Sequence, residues 1–417
     1  MRKTAVISLA CLFLAVYSYS ADIQFTFDQK GDLETMIDAI RHSQFVPEVV
    51  PPIREKEGPR NWTVMVFINA KNDMESYGLQ DVNEMETIGS GDDINVVAEL
   101  GRMDGFSYED GDWKGSRRYL VRKDDNPGRI TSPVAMDIPK SDMGDWNYLV
   151  EFVKWAQTYY PARKYVLIIS DRGSGWMRDL THEKNKGISY DEETGHHITF
   201  SQLRLAFEKT GKIDIISLDA PLMQSIEVAY ELKDAADYIV ASEETEPVEG
   251  HTYEKLLGPF VSDPGMDAGE LSKLMVDSYI TPYQEIGRGA VHSSIRTAKL
   301  SSLPAKVNAF IEALITRNDI TNARKAGARV QSFHHSSNKD MANLAQLVAK
   351  STQVPDVKDK AESLVNFIEI ALVYRNGASG SKYNNACGLA AYLSSSASYG
   401  GMWAEDSRWG ELMDWMK

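Results

Sequence analysis

From Trp62 onward, short apolar runs alternate with stretches of helical periodicity, and this alternation restricts the accessible folds more than any other feature. The runs Thr63–Asn69, Ile94–Leu100, Tyr119–Arg122, Lys164–Ser170, Ile213–Leu218 and Tyr238–Ser242 read as strands. Between the later ones, Trp146, Leu149, Val150, Val153, Ala156 and Tyr160 recur at helical spacing, as do Leu222, Met223, Ile226, Ala229 and Tyr230. Strands that are apolar along their whole length have two covered faces. Joined by helices, they form a mostly parallel sheet in an α/β/α sandwich. The segment Gly101–Arg118 reads as a hairpin or loop excursion between two strands.

Residues 61–260 therefore read as one α/β core, and 261–417 as a helix-rich part that completes it. Ala268–Glu285, Leu300–Arg317, Met341–Ser351 and Val357–Tyr374 carry helical periodicity. Arg375–Ser381 is so dense in Gly and Ser that it reads as a flexible loop, and Cys387–Ser394 as a late strand. A Trp- and Met-rich helix follows.

Residues 1–20 pair a basic start, Arg2 and Lys3, with an apolar stretch from Ala5 to Val16 and small residues before Ala21. That pattern predicts a signal peptide cleaved after Ser20 and a secreted or periplasmic protein with no membrane segment once it is removed. Residues 21–60, with Pro47, Pro51, Pro52 and Pro59, read as an N-terminal arm or linker. The formal charge of −15, without a Lys/Arg block, argues against nucleic acid or anionic lipid as a partner. Of two cysteines, Cys11 would leave with the signal, so Cys387 would have no intrachain disulfide partner.

In an open parallel sheet, ligands bind beyond the carboxyl ends of the strands. Three of those ends run into turn-rich polar segments: Asp171-Arg172-Gly173-Ser174-Gly175-Trp176, Asp219-Ala220-Pro221-Leu222-Met223, and Glu243-Glu244-Thr245-Glu246-Pro247-Val248-Glu249-Gly250. With Trp62–Phe67, Asn72-Asp73-Met74-Glu75, Gly115–Tyr119, Ile188-Ser189-Tyr190-Asp191, Gly388-Leu389 and the Trp409 region, this ordered set resembles the clostripain-like cysteine peptidases. The resemblance implies a caspase-like fold. It places Arg172 where the family carries its catalytic histidine, and Pro221 where it carries the nucleophilic cysteine.

Both substitutions remove chemistry. Proline has neither a nucleophilic atom nor a backbone N–H, so an oxyanion donor would be lost with the thiolate, leaving the Gly173 N–H alone. Arginine stays protonated and accepts no hydrogen bond, so Arg172 cannot act as a base. The implied protein is an inactive pseudopeptidase that binds a peptide or protein. The alternative is an active cysteine-type endopeptidase cleaving after Arg or Lys through residues elsewhere. By the same resemblance, Asp219 and Glu249 match pocket carboxylates of relatives that prefer basic substrates, so the ligand would present basic side chains.

Taken structurally, Pro221 is suited to open a helix Leu222–Ala236, and Arg172 either stands solvated or turns toward Asp219 or Glu249. A hydrolase built on Ser174 is a third reading, although Arg-Gly-Ser-Gly-Trp lacks the spacing of a nucleophile elbow. Cys387 reads as a small buried hydrophobe. His182, His196, His197, His334 and His335 have no zinc spacing, and no cofactor is expected. Ca²⁺ at Asp104/Asp110/Asp112 or Asp191/Glu192/Glu193 lacks a specific motif, and both groups read as solvated acidic loops.

Overall fold

The computed structural model describes residues 58–173, 175 and 187–417. The expected signal peptide, most of the expected arm, Ser174, Trp176 and His182 lie outside the described residues. The strands are β1 (Arg60–Asn69), β2 (Ile94–Arg102), β3 (Gly115–Leu120), β4 (Val134–Ile138), β5 (Ala162–Ser170), β6 (Gly187–Asp191) and β7 (His196–Thr199). They continue with β8 (Ile213–Asp219), β9 (Ala236–Ala241), β10 (Ala290–Arg296), β11 (Asn338–Asp340), β12 (Val373–Ser379) and β13 (Ala390–Tyr392).

Nine of these form one sheet in the order β12-β10-β9-β8-β5-β1-β2-β3-β4. The run β2-β1-β5-β8-β9 is parallel. Antiparallel strands extend it at both margins. Within β1, Val64, Val66 and Ile68 bury into one core and Met65 and Phe67 into the other, as the pleat dictates. The first core is closed by Glu75–Glu86, Tyr253–Ser262 and Ala268–Glu285. The second is closed by Trp146–Tyr159, Phe200–Thr210 and the C-terminal helices.

Local chemistry sets several helix starts. The Asp145 carboxylate accepts from the Asn147 N–H, and Thr199–Gln202 and Asp267–Glu270 form reciprocal capping boxes.

Of the two readings of Gly101–Arg118, the hairpin is the one the structure has: Gly115–Leu120 pairs antiparallel with β2. Two expectations need correction. Arg375–Ser381 is not a flexible loop: Val373–Ser379 pairs with β10, and Gly377 lets Ile280 pack 2.7 Å from where its Cβ would stand. Pro221 does not open a helix. Leu222 has φ +64°, its N–H donates to the Glu244 carbonyl at 3.0 Å, and the helix spans only Ile226–Glu231, capped by Ser225. The periodicity was real, but backbone pairing with the segment after β9 outcompetes the first helical turn.

Candidate functional site

The carboxyl ends of β1, β5 and β8 meet the loop after β9 around a pocket of about 240 Å³. Its lining includes Asp81, Arg172, Asp219, Pro221, Glu246 and Glu249. Pairing of Ser170 with Asp219 in the β5–β8 ladder brings the first two polar turns side by side. They touch through backbone: a Cβ on Gly173 would stand 2.7 Å from the Pro221 carbonyl oxygen, and one on Gly175 2.6 Å from the Leu222 carbonyl oxygen. Only glycine admits that approach, and Gly175 also adopts φ +54°.

The Asp171 side chain organises the turn from below. Its Oδ1 accepts from Asn72 Nδ2 at 2.7 Å, and its Oδ2 accepts from the Tyr190 N–H. Burial outweighs these donors and pushes its pKa up to about 8. Asn72 and Tyr190 thus tie the β1 loop and the β6–β7 hairpin to the β5 turn. Lys71, fully buried, anchors the same hairpin through Asp191 at 3.0 Å and Glu193 at 2.5 Å.

Arg172 does not turn toward Asp219 or Glu249. Its guanidinium pairs with Glu192 at 2.8 Å and with Asp73. Those two carboxylates project from segments on either side of the β5 turn. Arg172 is therefore held as a clamp between them. Glu249 instead pairs with Arg288 at 2.8 Å, near the solvent. Of the acidic group Asp191/Glu192/Glu193, Asp191 is buried against Lys71, while Glu192 and Glu193 stay exposed in the turn and pair with Arg172 and Lys71.

Asp219 is the predicted pocket residue that the structure buries, at 5% exposure, with Tyr253 Oη 3.4 Å from its Oδ2. Sequence reasoning missed its companions. The Glu246 side chain is 4% exposed and Asp81 is 8% exposed. Burial first, then the charge of Asp219, holds both of their carboxyls well above the ordinary carboxylate range. Behind Glu246 lie His292, whose Nδ1 is 3.6 Å from its Oε1, and His251, 5.2 Å from His292 between ring centroids. Burial lowers the pKa of both imidazoles. The signal for Glu246 was the acidic run at the end of β9. That run does not tell which of its members faces inward: Glu243 accepts from the Gly388 N–H, and Glu244 pairs with Lys382.

The other candidates lie apart. His196 bonds Asp142 at 2.5 Å, His197 stacks on Tyr190, and His334 and His335 meet edge to face. Asp104 pairs with Lys114, and Asp110 accepts from Trp113 at 3.2 Å. Among the described residues, no group of His, Cys, Asp and Glu is disposed to hold a metal ion. Cys387 is partly buried; its N–H donates to Asp340 Oδ2 at 2.6 Å. Burial, then the charges of Asp340, Glu243 and Glu369, push its thiol up, away from the thiolate.

The sequence profile of the clostripain family matches residues 66–416. Clostripain from Hathewaya histolytica is 25% identical over 224 residues, which are 46% of this chain and 41% of that relative. The chain thus spans less than half the length of that curated relative. A secreted C11 cysteine protease from Bacteroides thetaiotaomicron, solved with an irreversible peptide inhibitor, superposes with a TM-score of 0.63 at 18% identity. That match covers 85% of this chain and 99% of the other. An inactive zymogen C11 protease from Parabacteroides distasonis gives 0.60 at 16% identity, over 86% and 99%. What these structures share with this chain is the caspase-like α/β/α fold, with the helix-rich C-terminal part present.

Proposed function

Because this chain belongs to the clostripain family, we propose that it is an exported pseudopeptidase, a family scaffold that binds peptides or proteins through basic side chains without cleaving them. The observation that carries this reading is the state of the two positions that resemble the family's dyad. Pro221 offers no nucleophile, and the Arg172 guanidinium is spent on Asp73 and Glu192. The sole cysteine among the described residues, Cys387, is not in the pocket lining, and its surroundings oppose a thiolate.

A basic ligand suits the pocket because its buried wall carries Asp81, Asp219 and Glu246, while the cation Arg172 is engaged at its rim. A charged guanidinium or ammonium there would meet preplaced acceptors away from competing water. Export is favoured by the basic and apolar start of the sequence. Among the described residues, no helix is long and apolar enough to cross a membrane.

The test is to incubate the purified protein with Arg- and Lys-terminated fluorogenic peptides and a thiol-reactive probe. Binding without turnover is expected. Sustained turnover abolished by Cys387→Ala or Ser174→Ala would overturn the reading. Joint replacement of Arg172→His and Pro221→Cys should restore some cleavage if only the dyad was lost.

A further inference from the structure

Asp219 Oδ1 and Glu246 Oε1 are both buried, and neither has a hydrogen-bond donor. Both carboxyls line the same pocket wall, and the charge of Asp219 adds to burial in raising the pKa of the Glu246 carboxyl. Two buried carboxyls in one wall, each with an oxygen that no donor satisfies, disfavour joint ionisation, which leaves a proton on Glu246. Resting on the basic-side-chain reading above, we propose that this pocket admits a basic side chain in exchange for the proton held by the Asp219–Glu246 pair. The entering guanidinium or ammonium would occupy the place of that proton, and Glu246 would release it to solvent.

Every element packed around the pair bears on its proton. Asp81 and Glu84 on helix Glu75–Glu86 are acids that burial, with the charge of Asp219 as a further cause, shifts toward the protonated form, so neither supplies a compensating cation. Asp73 and Asp171 lie at the β1 and β5 ends, with Arg172 between Asp73 and Glu192. Glu249 is neutralised by Arg288. Tyr253, Tyr279 and Tyr283 face the cluster with phenols that burial raises.

His251 and His292 are the imidazoles behind the pair among the described residues. None of their four ring nitrogens has a hydrogen-bond partner among the described residues, His292 Nδ1 standing 3.6 Å from Glu246 Oε1, and burial lowers the pKa of both rings toward the neutral form. With the rim cations engaged and the imidazoles neutral, no cation among the described residues balances the pair. The proton does, until a ligand cation replaces it.

Titration calorimetry with acetyl-Ala-Ala-Arg-amide, in two buffers of different ionisation enthalpy at pH 7, tests this, with acetyl-Ala-Ala-Ala-amide as control. Release of about one proton per bound Arg peptide is expected, and affinity should rise by up to tenfold per pH unit. Glu246→Gln, which mimics the protonated acid in shape, should bind more weakly and release none. Arg-peptide binding without proton release would overturn the exchange and leave the basic-ligand reading standing. Failure of the Arg peptide to bind at any pH would remove that reading. Carbon-13 NMR of the Glu246 carboxyl then decides on the proton alone: titration near the ordinary glutamate range overturns it, and a carboxyl still protonated at pH 7 supports it.

Discussion

Gly173 and Pro221 are in backbone contact, so close that a Cβ on the glycine would stand 2.7 Å from the proline's carbonyl oxygen and 2.9 Å from Ala220 Cβ. The two turns that carry Arg172 and Pro221 are therefore one packed unit. Their spacing depends on a residue without a side chain. Gly173→Ala is expected to destabilise the protein by about 1–3 kcal/mol, since backbone on both sides must move. Urea unfolding checks this, and a variant as stable as the parent would mean that the turns have room to separate.

Lys71 and Arg172 make superficially similar ion pairs to the same hairpin but differ in burial. Lys71→Ala strands the buried Asp191, which retains donors from the Met143, Glu193 and Thr194 N–H groups. A loss of about 3 kcal/mol, the lower end for a broken buried pair, is expected. Arg172 is 39% exposed and its partners more so, hence Arg172→Ala should cost under about 1 kcal/mol. Denaturant midpoints of the two variants check the ranking, and the reverse order would refute it.

Asp171 makes stability depend on pH with a defined sign. Its pKa, about 8 when folded, exceeds that of an unfolded aspartate. The folded state binds the extra proton, so this contribution is full below the unfolded value and is lost as pH rises through about 8. Unfolding free energy measured from pH 4 to 9 should carry that downward slope. Asp171→Asn should flatten it, and an unchanged slope would exclude Asp171 as its source.

Cys387 should be a poor nucleophile. Three acidic side chains and burial oppose its ionisation. Alkylation by iodoacetamide at pH 8, followed at this residue by peptide mass spectrometry, should run at least about tenfold slower in the folded protein than in urea. Equal rates would show an accessible, ionisable thiol and reopen the case for a relocated nucleophile.

Much of the sheet was legible because wholly apolar strands advertise two buried faces. Ile213–Leu218 and Lys164–Ser170 fall within β8 and β5. β12 was not legible, since Arg375-Asn376-Gly377-Ala378-Ser379 has the composition of a loop and gains its pairing only from β10. The segment after Pro221 misled for the opposite reason. Its helical periodicity is genuine, but Leu222 and Gln224 donate to the Glu244 and Ser242 carbonyls instead.

By itself, the sequence determined the alternation of apolar strands with helices through the core, the polar turns at three strand ends, and the residue types at positions 172 and 221, an arginine that cannot act as a base and a proline that cannot act as a nucleophile. These follow from residue type and local pattern, which need no neighbour to be read. Only the tertiary structure decided that Arg172 joins Asp73 and Glu192, that Glu249 goes to Arg288, and that Glu246 stands with Asp219 inside the pocket. The physical reason is that an ionisable side chain chooses its partner by distance and desolvation. Both are set by loops far apart in the chain, and composition is silent about which carboxylate the fold turns inward.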